Sequence, residues 1–494
     1  MISLDQLFLK AGLPLPEGLP ALQISEIAAD SRKVTAGGLF FALPGFKVDG
    51  SRFASDAVRR GAAVIFSENP LPDLDVPVVR IKNIRRILAL LAAAYYGDPA
   101  SRMQVVGITG TNGKTTTSHM LEAVFQKAGR RTGLVGTVHY RWPGNRVEAD
   151  RTTPDILELQ EMLCAMEKAG VNLVVMEVSS HALVLDRVAA LRFQAAVFTN
   201  LTRDHLDFHK DMEEYAAAKA VLFTLLKKDG IGVLNADDPA HRIMQAACAS
   251  RCVTVGSRDA GSDYRVGPVE MTGGNTRFRV EGRGVKEFFQ TPLWGHFNVM
   301  NAACAAVTGL ELGVDPELIR KGLAGVKRVP GRMEGIRSNL GFRVVVDYAH
   351  SPDALENVLG ASRGFTAGRL IAVFGCGGDR DRGKRPQMGR VAAQHADRVF
   401  VTSDNPRTED PDAIIRDIVE GIPAGTDYRV VADRASAIRL ALVEARSGDT
   451  VVLAGKGHET YQEIQGVKHP FDDREVAERI MKEMGAELHA DDAA

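Results

Sequence analysis

The feature that most constrains the fold of this 494-residue chain is a glycine-rich stretch at residues 104–118, QVVGITGTNGKTTTS. The segment Gln104–Thr109 has the β-branched, apolar composition of a buried strand, and from Lys114 onward the apolar residues recur with helical spacing. In a strand, turn and helix of this kind, backbone N–H groups and the helix N-terminus face an anion, and a lysine adds positive charge. The stretch therefore predicts a phosphate-binding loop whose natural ligand is a nucleoside triphosphate.

The residues expected to contact the triphosphate occupy the turn and the start of the helix: Gly110, Thr111, Asn112, Gly113, Lys114, Thr115 and Thr116. The Thr115 or Thr116 hydroxyl can reach a magnesium ion. The common P-loop pattern has glycine six positions before the lysine, where this chain has Ile108, so the strict motif fails at one position. The alternative is a turn that merely joins a strand to a helix, but Gly-Lys-Thr-Thr-Thr has little packing purpose there.

Length and composition limit the classes of protein that are possible. A chain of 494 residues suggests about three domains, and 45% hydrophobic with 25% charged residues is ordinary for a globular protein. The net charge of −1 gives no overall attraction for nucleic acid or an anionic membrane. The five cysteines are scattered without a CxxC pair, which argues against a zinc site or a disulfide framework.

The longest apolar run, residues 87–96, is about half of a membrane span, and the N-terminus lacks a signal-peptide pattern. We therefore expect a cytoplasmic protein that acts on small molecules, without a membrane or nucleic-acid partner. We also expect a monomer.

Strand-like and helical segments alternate along most of the chain, which predicts an α/β fold with parallel sheets. A helix at 85–96 ends in Gly97, Asp98 and Pro99, a plausible boundary. Strand-like runs follow at 105–109, 173–178, 195–200 and 230–234, and then a β-rich segment at 251–294 that we interpret as a hairpin excursion. Five further apolar runs predict a second open sheet of Rossmann type: 342–347, 370–374, 398–402, 428–431 and 450–453.

These patterns predict three domains: a small N-terminal α/β domain at 1–101, a central P-loop ATPase domain with a parallel sheet at 102–331, and a C-terminal Rossmann-like domain at 332–494. The last eight residues, ELHADDAA, are small and polar, and we expect them to fray.

Polar residues directly after the apolar runs are candidates for a metal site, because ligands gather at the carboxyl ends of parallel strands. Glu177 ends one run, and His205 and Asp207 follow the next within TNLTRDHLDFH. A carboxylate and an imidazole after adjacent strands favour a hard-metal site over a salt bridge. Lys219 lies among small apolar residues in YAAAKAVLF, where its stem could simply extend to water.

The order of these motifs resembles the central domain of the Mur ligases, and GTNGKTT also resembles the loop of the folylpolyglutamate synthetases. The resemblance implies catalytic roles for Lys114, His205 and Lys219, with ATP and Mg²⁺ as cofactors. It implies that Lys219 is carbamylated and that the metal ligands are Thr115, Glu177, His205 and this carbamate. Asn301 in GHFNVMN, Arg332 in PGRME and Asp347 in DYAHSPDAL match further ATP contacts.

The resemblance also implies where the other substrates bind. Asp30-Ser31-Arg32 and the GFKVDG segment match the part of the first domain that holds a UDP-sugar. The residues matching contacts to the UDP-muramoyl dipeptide are Ser31, Thr152, Thr153, Ser179 and Arg187.

In the third domain, Asp404-Asn405-Pro406-Arg407 resembles the signature of the Mur ligases that add meso-diaminopimelate, whereas lysine-adding relatives lack the arginine. A guanidinium can grip the distal carboxylate of diaminopimelate, which L-lysine does not have. The residues implied to line this pocket are Arg380, Asp404, Asn405, Pro406, Arg407, Gly455 and Glu459.

The implied reaction activates a D-glutamyl carboxylate as an acyl phosphate, which the amine of the amino acid then attacks. Three alternatives remain open. A lysine-adding Mur ligase and a folylpolyglutamate synthetase share most of the motifs, although Arg407 and the first hundred residues disfavour them. A P-loop switch or motor would hydrolyse ATP without any UDP-sugar, but the chain has no evident interaction tail or coiled coil.

Overall fold

The strand that leads to the phosphate loop lies near the middle of an eleven-stranded sheet in the computed structural model, which describes residues 1–45, 48–248, 250–272 and 275–488. Two further sheets, of four and six strands, precede and follow it in the described chain. Helices connect most of the successive parallel strands, as the alternation of patterns predicts. The expected α/β fold class is confirmed.

The N-terminal unit (residues 1–103 of the described chain) carries a four-stranded parallel sheet in the order β3-β4-β5-β6. Its elements are β1 (Ile2–Ser3), α1 (Leu4–Lys10), β2 (Gln23–Ile24), β3 (Ile27–Ala28), a 3-10 helix (Ser31–Lys33), β4 (Gly38–Ala42), a 3-10 helix (Gly50–Phe53), α2 (Ala54–Arg59), β5 (Ala62–Ser67), β6 (Val78–Arg80), α3 (Ile84–Tyr95) and a 3-10 helix (Pro99–Arg102).

The predicted break after α3 is present: Gly97 adopts a positive φ of 81°, and Pro99 opens the short 3-10 helix. Phe46 and Lys47 of the GFKVDG motif lie outside the described residues, as do the last six residues of the chain.

The central unit (residues 104–331) has the sheet order β10-β9-β8-β11-β7-β12-β13-β14-β15-β16-β17. Its elements are β7 (Gln104–Thr109), α4 (Lys114–Lys127), β8 (Thr132–Val135), β9 (His139–Trp142), β10 (Asn145–Glu148), α5 (Ile156–Lys168), β11 (Leu173–Glu177), α6 (Ser180–Val184), β12 (Phe193–Phe198), α7 (Met212–Thr224), β13 (Leu226–Asn235), α8 (His241–Ala247), β14 (Arg251–Gly256), β15 (Tyr264–Thr272), β16 (Asn275–Gly282), β17 (Val285–Thr291), α9 (His296–Glu311) and α10 (Pro316–Gly325).

The parallel pairings of β7 with β11 and β12 bring three strand ends together. Glu177 pairs with Ile108, and Phe198 pairs with Thr109, so the residues after each strand flank the phosphate loop. These strands are buried on both faces, which explains why their sequences are continuous apolar runs rather than alternating ones.

The segment at 251–294 is an extension of the central sheet, which corrects the expected excursion. β14 pairs in parallel with β13 and with β15, and β16 and β17 continue the same sheet through antiparallel pairings. Their alternating side chains suit a sheet end where only one face packs on the core.

The C-terminal unit (residues 332–488) has the sheet order β18-β19-β23-β20-β21-β22. Its elements are β18 (Glu334–Ile336), β19 (Arg343–Asp347), α11 (Pro352–Arg363), β20 (Leu370–Phe374), a 3-10 helix (Arg382–Lys384), α12 (Arg385–His395), β21 (Arg398–Val401), α13 (Pro411–Val419), β22 (Tyr428–Val430), α14 (Arg434–Glu444), β23 (Thr450–Ala454), β24 (Tyr461–Ile464), β25 (Val467–Pro470) and α15 (Asp473–Glu483).

The five predicted strands of this unit are present and parallel to one another. An antiparallel edge strand, β18, joins them, and it is too short at three residues to stand out in the sequence. In the part of the chain that the structure describes, no helix combines the length and apolar character needed to cross a membrane.

Candidate active site

The phosphate loop, residues 110–113, requires glycine at both of its ends. Gly110 has a φ of 151° and Gly113 a φ of 86°, in the region where side chains are strained. A Cβ on Gly110 would lie 1.9 Å from Thr199 Oγ1, and one on Gly113 would lie 2.4 Å from Asn301 Oδ1. The loop is therefore packed directly against the residues that follow β12 and against α9.

Hydrogen bonds from the end of β12 fix the main chain of this loop. Thr111 N donates to Asn200 O at 2.9 Å, and Asn112 N donates to Asn200 Oδ1 at 2.8 Å. Thr199 Oγ1 donates to Asn112 O at 2.6 Å. α4 begins directly after the loop, so the N–H groups of its first turn point toward the place where a phosphate would lie.

Two lysines meet at one carbonyl of the loop. Lys114 Nζ donates to Gly110 O and Thr111 O, both at 2.8 Å, and Lys219 Nζ donates to Gly110 O at 2.9 Å. Lys219 lies one turn after Tyr215 on α7, a helix that Asp211 caps, and its ammonium stands 4.2 Å from the Tyr215 ring centre. Burial lowers the pKa of Lys114, and burial together with the nearby Lys114 charge lowers that of Lys219 well below its ordinary value.

Lys219 is 1% exposed, so the possibility that its stem extends to water is wrong. Such burial disfavours the charged form of the Lys219 amine.

The Glu177 carboxylate accepts hydrogen bonds from hydroxyl and amide groups beside the phosphate loop. Its Oε2 accepts from Thr115 Oγ1 at 3.0 Å and from Thr137 Oγ1 at 2.8 Å, and its Oε1 accepts from Thr137 N at 3.0 Å. Glu177 is 1% exposed. The predicted metal residues Thr115 and Glu177 are therefore in direct contact, and Thr137 is a neighbour that the sequence analysis did not identify.

The carboxylate beside His205 is Asp204 rather than Asp207, which is exposed. Asp204 Oδ2 lies 3.7 Å from His205 Nε2 and 3.4 Å from His350 Nε2, and Lys384 Nζ is 3.3 Å from Asp204 Oδ1. Burial alone would raise the pKa of Asp204, but Lys384 and the two imidazoles hold it well below its ordinary value. Burial lowers the pKa of His205, which favours the neutral ring, the form of histidine that binds metals.

A cleft between the central and C-terminal units joins most of the predicted ATP residues. Lining residues that the sequence predicted are Thr111, Asn112, Gly113, Lys114, Thr115, Thr116, Thr152, His205, Asn301, Arg332 and Asp347. Residues that it did not predict include Thr137, Asn200, Asp204, Phe297, Tyr348, His350 and Asn357. Asn200 follows closely on β12, and Tyr348 and His350 follow on β19, so position at a strand end could have identified them. The cavity within this cleft has a volume of about 180 Å³.

Arg332 reaches from the C-terminal unit to the phosphate side of this cleft. Its Nη2 donates to Thr115 Oγ1 at 3.2 Å, and its guanidinium stacks 4.6 Å from the Tyr348 ring centre. Asp347 Oδ2 accepts from Met333 N at 2.6 Å, and burial raises the pKa of Asp347 to about 6 despite the nearby Arg332 charge.

Four of the five residues predicted for the muramoyl dipeptide lie together next to Glu177. Thr152 Oγ1 is 3.1 Å from Thr137 Oγ1, and Thr153 Oγ1 donates to Glu177 O at 2.9 Å. Ser179 N donates to Thr153 Oγ1 at 3.1 Å, and Arg187 Nη1 donates to Thr153 O at 2.8 Å.

Ser31 is in the N-terminal unit, where it is buried and bonded to the Asp56 carboxyl. Within the described chain, no hydrogen bond connects Ser31 to the other four residues.

A second group of polar residues lies in the C-terminal unit at the ends of β21 and β23. Asn405 Nδ2 donates to Glu459 Oε2 at 2.8 Å. The fully buried Lys456 ammonium donates to the same Glu459 oxygen at 3.1 Å and to Asn405 Oδ1 at 3.2 Å. Lys456 completes this cluster and was not predicted, because a lysine in GKGHE has no distinctive spacing.

A hydrogen bond and an ion pair fix the position of the Arg407 guanidinium. It has a φ of 50°, its Nη1 donates to Gly378 O at 2.7 Å, and its Nε lies 3.3 Å from Glu463 Oε2. The side chain remains 20% exposed, so it can accept a ligand. Arg380 is exposed, with Nη1 donating to Asp379 O at 3.0 Å, and it does not contact Arg407 through any hydrogen bond between described residues.

The main chain around this polar group is held by three further predicted residues: Asp404, Pro406 and Gly455. Asp404 Oδ1 accepts from Asn405 N at 2.6 Å, and a Cβ on Gly455 would lie 2.6 Å from Asp404 Oδ2. Pro406 O accepts from Glu409 N at 3.0 Å. Burial would raise the pKa of Asp404, but the Lys456 and Arg434 charges keep it below its ordinary value.

Comparison with known protein families matches three parts of the chain. The Mur ligase middle domain matches residues 108–309, the Mur ligase glutamate ligase domain matches residues 331–457, and the Mur ligase family catalytic domain matches residues 23–96.

Relatives named UDP-N-acetylmuramoyl-L-alanyl-D-glutamate–2,6-diaminopimelate ligase are similar to almost the whole chain. The protein of this name from Gloeobacter violaceus is 49% identical over 481 residues, covering 97% of this chain and 98% of that protein. The one from Parasynechococcus marenigrum is 47% identical over 495 residues, covering 97% and 99%. A solved structure of a protein with this name is 33% identical, has a TM-score of 0.70, and covers 98% of this chain and 99% of that one. The chain therefore belongs to the Mur ligase family.

Proposed function

We propose that this Mur ligase joins meso-2,6-diaminopimelate to UDP-N-acetylmuramoyl-L-alanyl-D-glutamate at the expense of ATP, a step of cytoplasmic peptidoglycan precursor synthesis. The observation that carries the proposal is Arg407 held by Gly378 and Glu463 beside the Asn405–Glu459 pair. A guanidinium next to a carboxylate suits the carboxylate and ammonium of an amino acid head group. The names of the relatives that cover nearly the whole chain support the same substrates.

Each of three domains, at residues 1–101, 102–331 and 332–494, would bind a different part of the substrates. The first would hold the UDP moiety near Ser31. The second would hold ATP and the dipeptide end, and the third would bring the amino acid. We further propose that the enzyme acts as a monomer.

The donor set beside the phosphate loop suits Mg²⁺. Thr115 Oγ1 and Glu177 Oε2 are hard oxygen donors 3.0 Å apart, and His205 lines the same cleft. Among the described residues, no three His, Cys, Asp or Glu side chains gather closely enough to hold a metal by themselves. This fits Mg²⁺, which usually takes one or two protein oxygens and fills its other positions with phosphate and water. Bound there, Mg²⁺ would neutralise charge on the phosphate oxygens.

Lys219 fits the proposed carbamate. Its buried amine has a depressed pKa and can add to carbon dioxide with release of a proton, and the product would place an anion beside the Lys114 ammonium. The carbamate oxygens would then be a further hard donor for a metal on this side of the loop.

The proposed reaction has two chemical steps. The terminal carboxylate of the D-glutamyl residue attacks the γ-phosphorus of ATP, and ADP leaves. Lys114 and Arg332 offset the negative charge that develops on the phosphoryl group. The amine of diaminopimelate then attacks the acyl phosphate carbon, inorganic phosphate leaves, and an amide forms.

The protein contributes mainly positioning and exclusion of water. Thr153, Ser179 and Arg187 form one hydrogen-bonded group adjacent to Glu177, where the D-glutamyl carboxylate would lie. The contact of Arg332 with Thr115 closes the C-terminal unit over the phosphate loop, which would protect the acyl phosphate from hydrolysis.

A phosphate-release assay tests the proposal. With ATP, the UDP-muramoyl dipeptide and meso-diaminopimelate present, we expect phosphate release that depends on all three. L-lysine in place of diaminopimelate should lower kcat/KM by about two orders of magnitude or more, because Arg407 would lose its carboxylate partner. Equal activity with L-lysine would indicate a lysine-adding ligase, and glutamate addition to a folate would indicate a folylpolyglutamate synthetase. Phosphate release without any UDP-sugar would indicate a simple ATPase.

A further inference from the structure

Three consecutive residues of the loop after β12 contact the C-terminal unit. Thr202 Oγ1 lies 3.4 Å from Asp353 Oδ2 on α11. Arg203 donates from Nε and Nη2 to the two carboxylate oxygens of Asp381, at 3.2 and 3.3 Å. Asp204 Oδ1 lies 3.3 Å from Lys384 Nζ. The next residue is His205, so the proposed metal ligand directly follows a run of contacts between the two units.

Two of the three partners, Asp381 and Lys384, belong to the segment that directly follows Arg380. Asp381 immediately follows Arg380, and Asp381 Oδ1 accepts from Gly383 N at 2.8 Å, which caps the 3-10 helix that contains Lys384. A movement of this segment on binding an amino acid would therefore be transmitted to the loop after β12.

The two ion pairs differ in exposure. Asp204 and Lys384 are each 6% exposed, so docking of the C-terminal unit removes both charges from water. Arg203 is 40% exposed, so breaking its pair with Asp381 returns a largely accessible guanidinium to water, while the 8% exposed Asp381 carboxylate keeps the hydrogen bond from Gly383 N. The Arg203–Asp381 pair is thus suited to a contact that opens and closes in each catalytic cycle.

The backbone conformation of His205 also depends on contacts with neighbouring residues. His205 has a φ of 56°, in the left-handed region that is unfavourable for a residue with a side chain. Its N–H donates to Asp204 Oδ1 at 2.9 Å, the same oxygen that faces Lys384. Such a conformation persists only where several contacts determine it, and the contacts with the C-terminal unit are among them.

We propose that Arg203 and Asp381 form a closing ion pair that couples docking of the C-terminal unit to the placement of His205. Arg203 is then a positioning residue, because it acts through the loop and does not touch the reacting atoms. The inference rests on the proposed function, since it assigns the pair to the closure that precedes amide formation.

Charge reversal of each partner and of both tests the pairing. Arg203→Asp and Asp381→Arg should each lower kcat about tenfold or more, because like charges then face each other across the interface. The double variant restores an opposite-charge pair and should recover most of the loss. Arg192→Asp reverses an exposed arginine elsewhere in the central unit and serves as a matched control, with near-normal kcat expected.

A second pair of variants leaves the Asp381 cap intact. Arg203→Ala should lower kcat and raise the KM for diaminopimelate while the Kd of ATP, measured without other substrates, stays unchanged. Arg203→Lys should recover part of kcat because it retains the charge. Thermal unfolding of each variant shows whether the fold is preserved.

The outcomes distinguish failure of the closing ion pair from failure of the proposed function. A double variant no better than the worse single variant, with unfolding unchanged, overturns the closing pair. An Arg203→Ala enzyme with wild-type kcat would also overturn the closing pair. A wild-type protein that releases no phosphate with its three proposed substrates would instead overturn the proposed function.

Discussion

The Nζ atoms of Lys114 and Lys219 donate to the same acceptor, the carbonyl oxygen of Gly110, at 2.8 and 2.9 Å. Two buried amines at one carbonyl repel each other when both are charged, and this lowers the pKa of Lys219 further than burial alone. The arrangement is costly unless one of the two groups changes its charge. A carbamate on Lys219 would remove the repulsion and leave Lys114 free to bind phosphate.

The first prediction is that Lys219→Ala will lose most ligase activity and regain part of it when a short carboxylic acid, such as acetate or propionate, is added. The added carboxylate would occupy the place of the proposed carbamate in the space left by the side chain. The measurement is the rate of ADP formation as a function of acid concentration. Lys210→Ala, at an exposed position shortly before α7, is the control and should show neither loss nor rescue. Full activity of Lys219→Ala without acid would exclude the modification.

The second prediction concerns the choice of amino acid. Arg407→Ala should raise the KM for meso-diaminopimelate by roughly 10- to 100-fold, the usual value of a hydrogen bond to a charged group, and change the KM for ATP little. Kinetics with each substrate varied in turn measure the two constants. Arg416→Ala removes an exposed arginine of the same unit and provides the comparison. An equal rise in both KM values would contradict the assignment of Arg407 to the amino acid pocket.

The sequence predicted the sheets well because buried parallel strands are continuous apolar runs. β7 and β20 have the predicted bounds, and most other predicted strands differ by one or two residues. β13 is the exception, since Leu226–Asn235 begins four residues earlier than expected and includes a polar, partly exposed Lys-Lys-Asp segment. Pattern alone could not predict that β15, β16 and β17 extend the central sheet, because strand pairing is a tertiary property.

The candidate site was predictable where a residue lies at a fixed position relative to a strand end or the phosphate loop, as for Glu177 and Lys114. The contacts between the central and C-terminal units were not, because Arg203 and Asp381 are 178 residues apart and each lies in an ordinary polar loop. The sequence analysis named Asp207 rather than Asp204 beside His205. Two aspartates lie close to this histidine in the sequence, and only the fold shows which one is buried.

The third prediction is a dependence of stability on pH. Glu409 accepts from Arg385 at 2.8 and 3.0 Å and from Arg382 at 2.9 Å, and these bonds, chiefly that of Arg385, lower the pKa of Glu409 to about 2 from its ordinary 4.5. A pKa that falls on folding stabilises the native state above about pH 4.5, and the effect is lost as pH falls toward 2.

Glu409→Gln should therefore lower the free energy of unfolding by about 2–3 kcal/mol at pH 7, and the difference from wild type should shrink below about pH 4.5. Urea unfolding at a series of pH values provides the measurement. Glu420→Gln, at an exposed position after α13, is the control and should differ little from wild type at any pH. A difference for Glu409→Gln that is constant with pH would show that the carboxylate charge is not responsible.

The last prediction tests the tight contact between the phosphate loop and α9. Gly113→Ala and Gly129→Ala both place a side chain at a positive φ, 86° and 75°, at opposite ends of α4. Each should cost about 1–2 kcal/mol of stability from backbone strain. Only the new Cβ at 113 meets another group, Asn301 Oδ1 at 2.4 Å, whereas nothing lies within 4 Å at 129. We therefore expect Gly113→Ala to raise the KM for ATP strongly and Gly129→Ala to leave it unchanged, as measured by steady-state kinetics alongside thermal unfolding. If both variants bind ATP equally well, the packing of the loop on Asn301 has no part in holding the nucleotide.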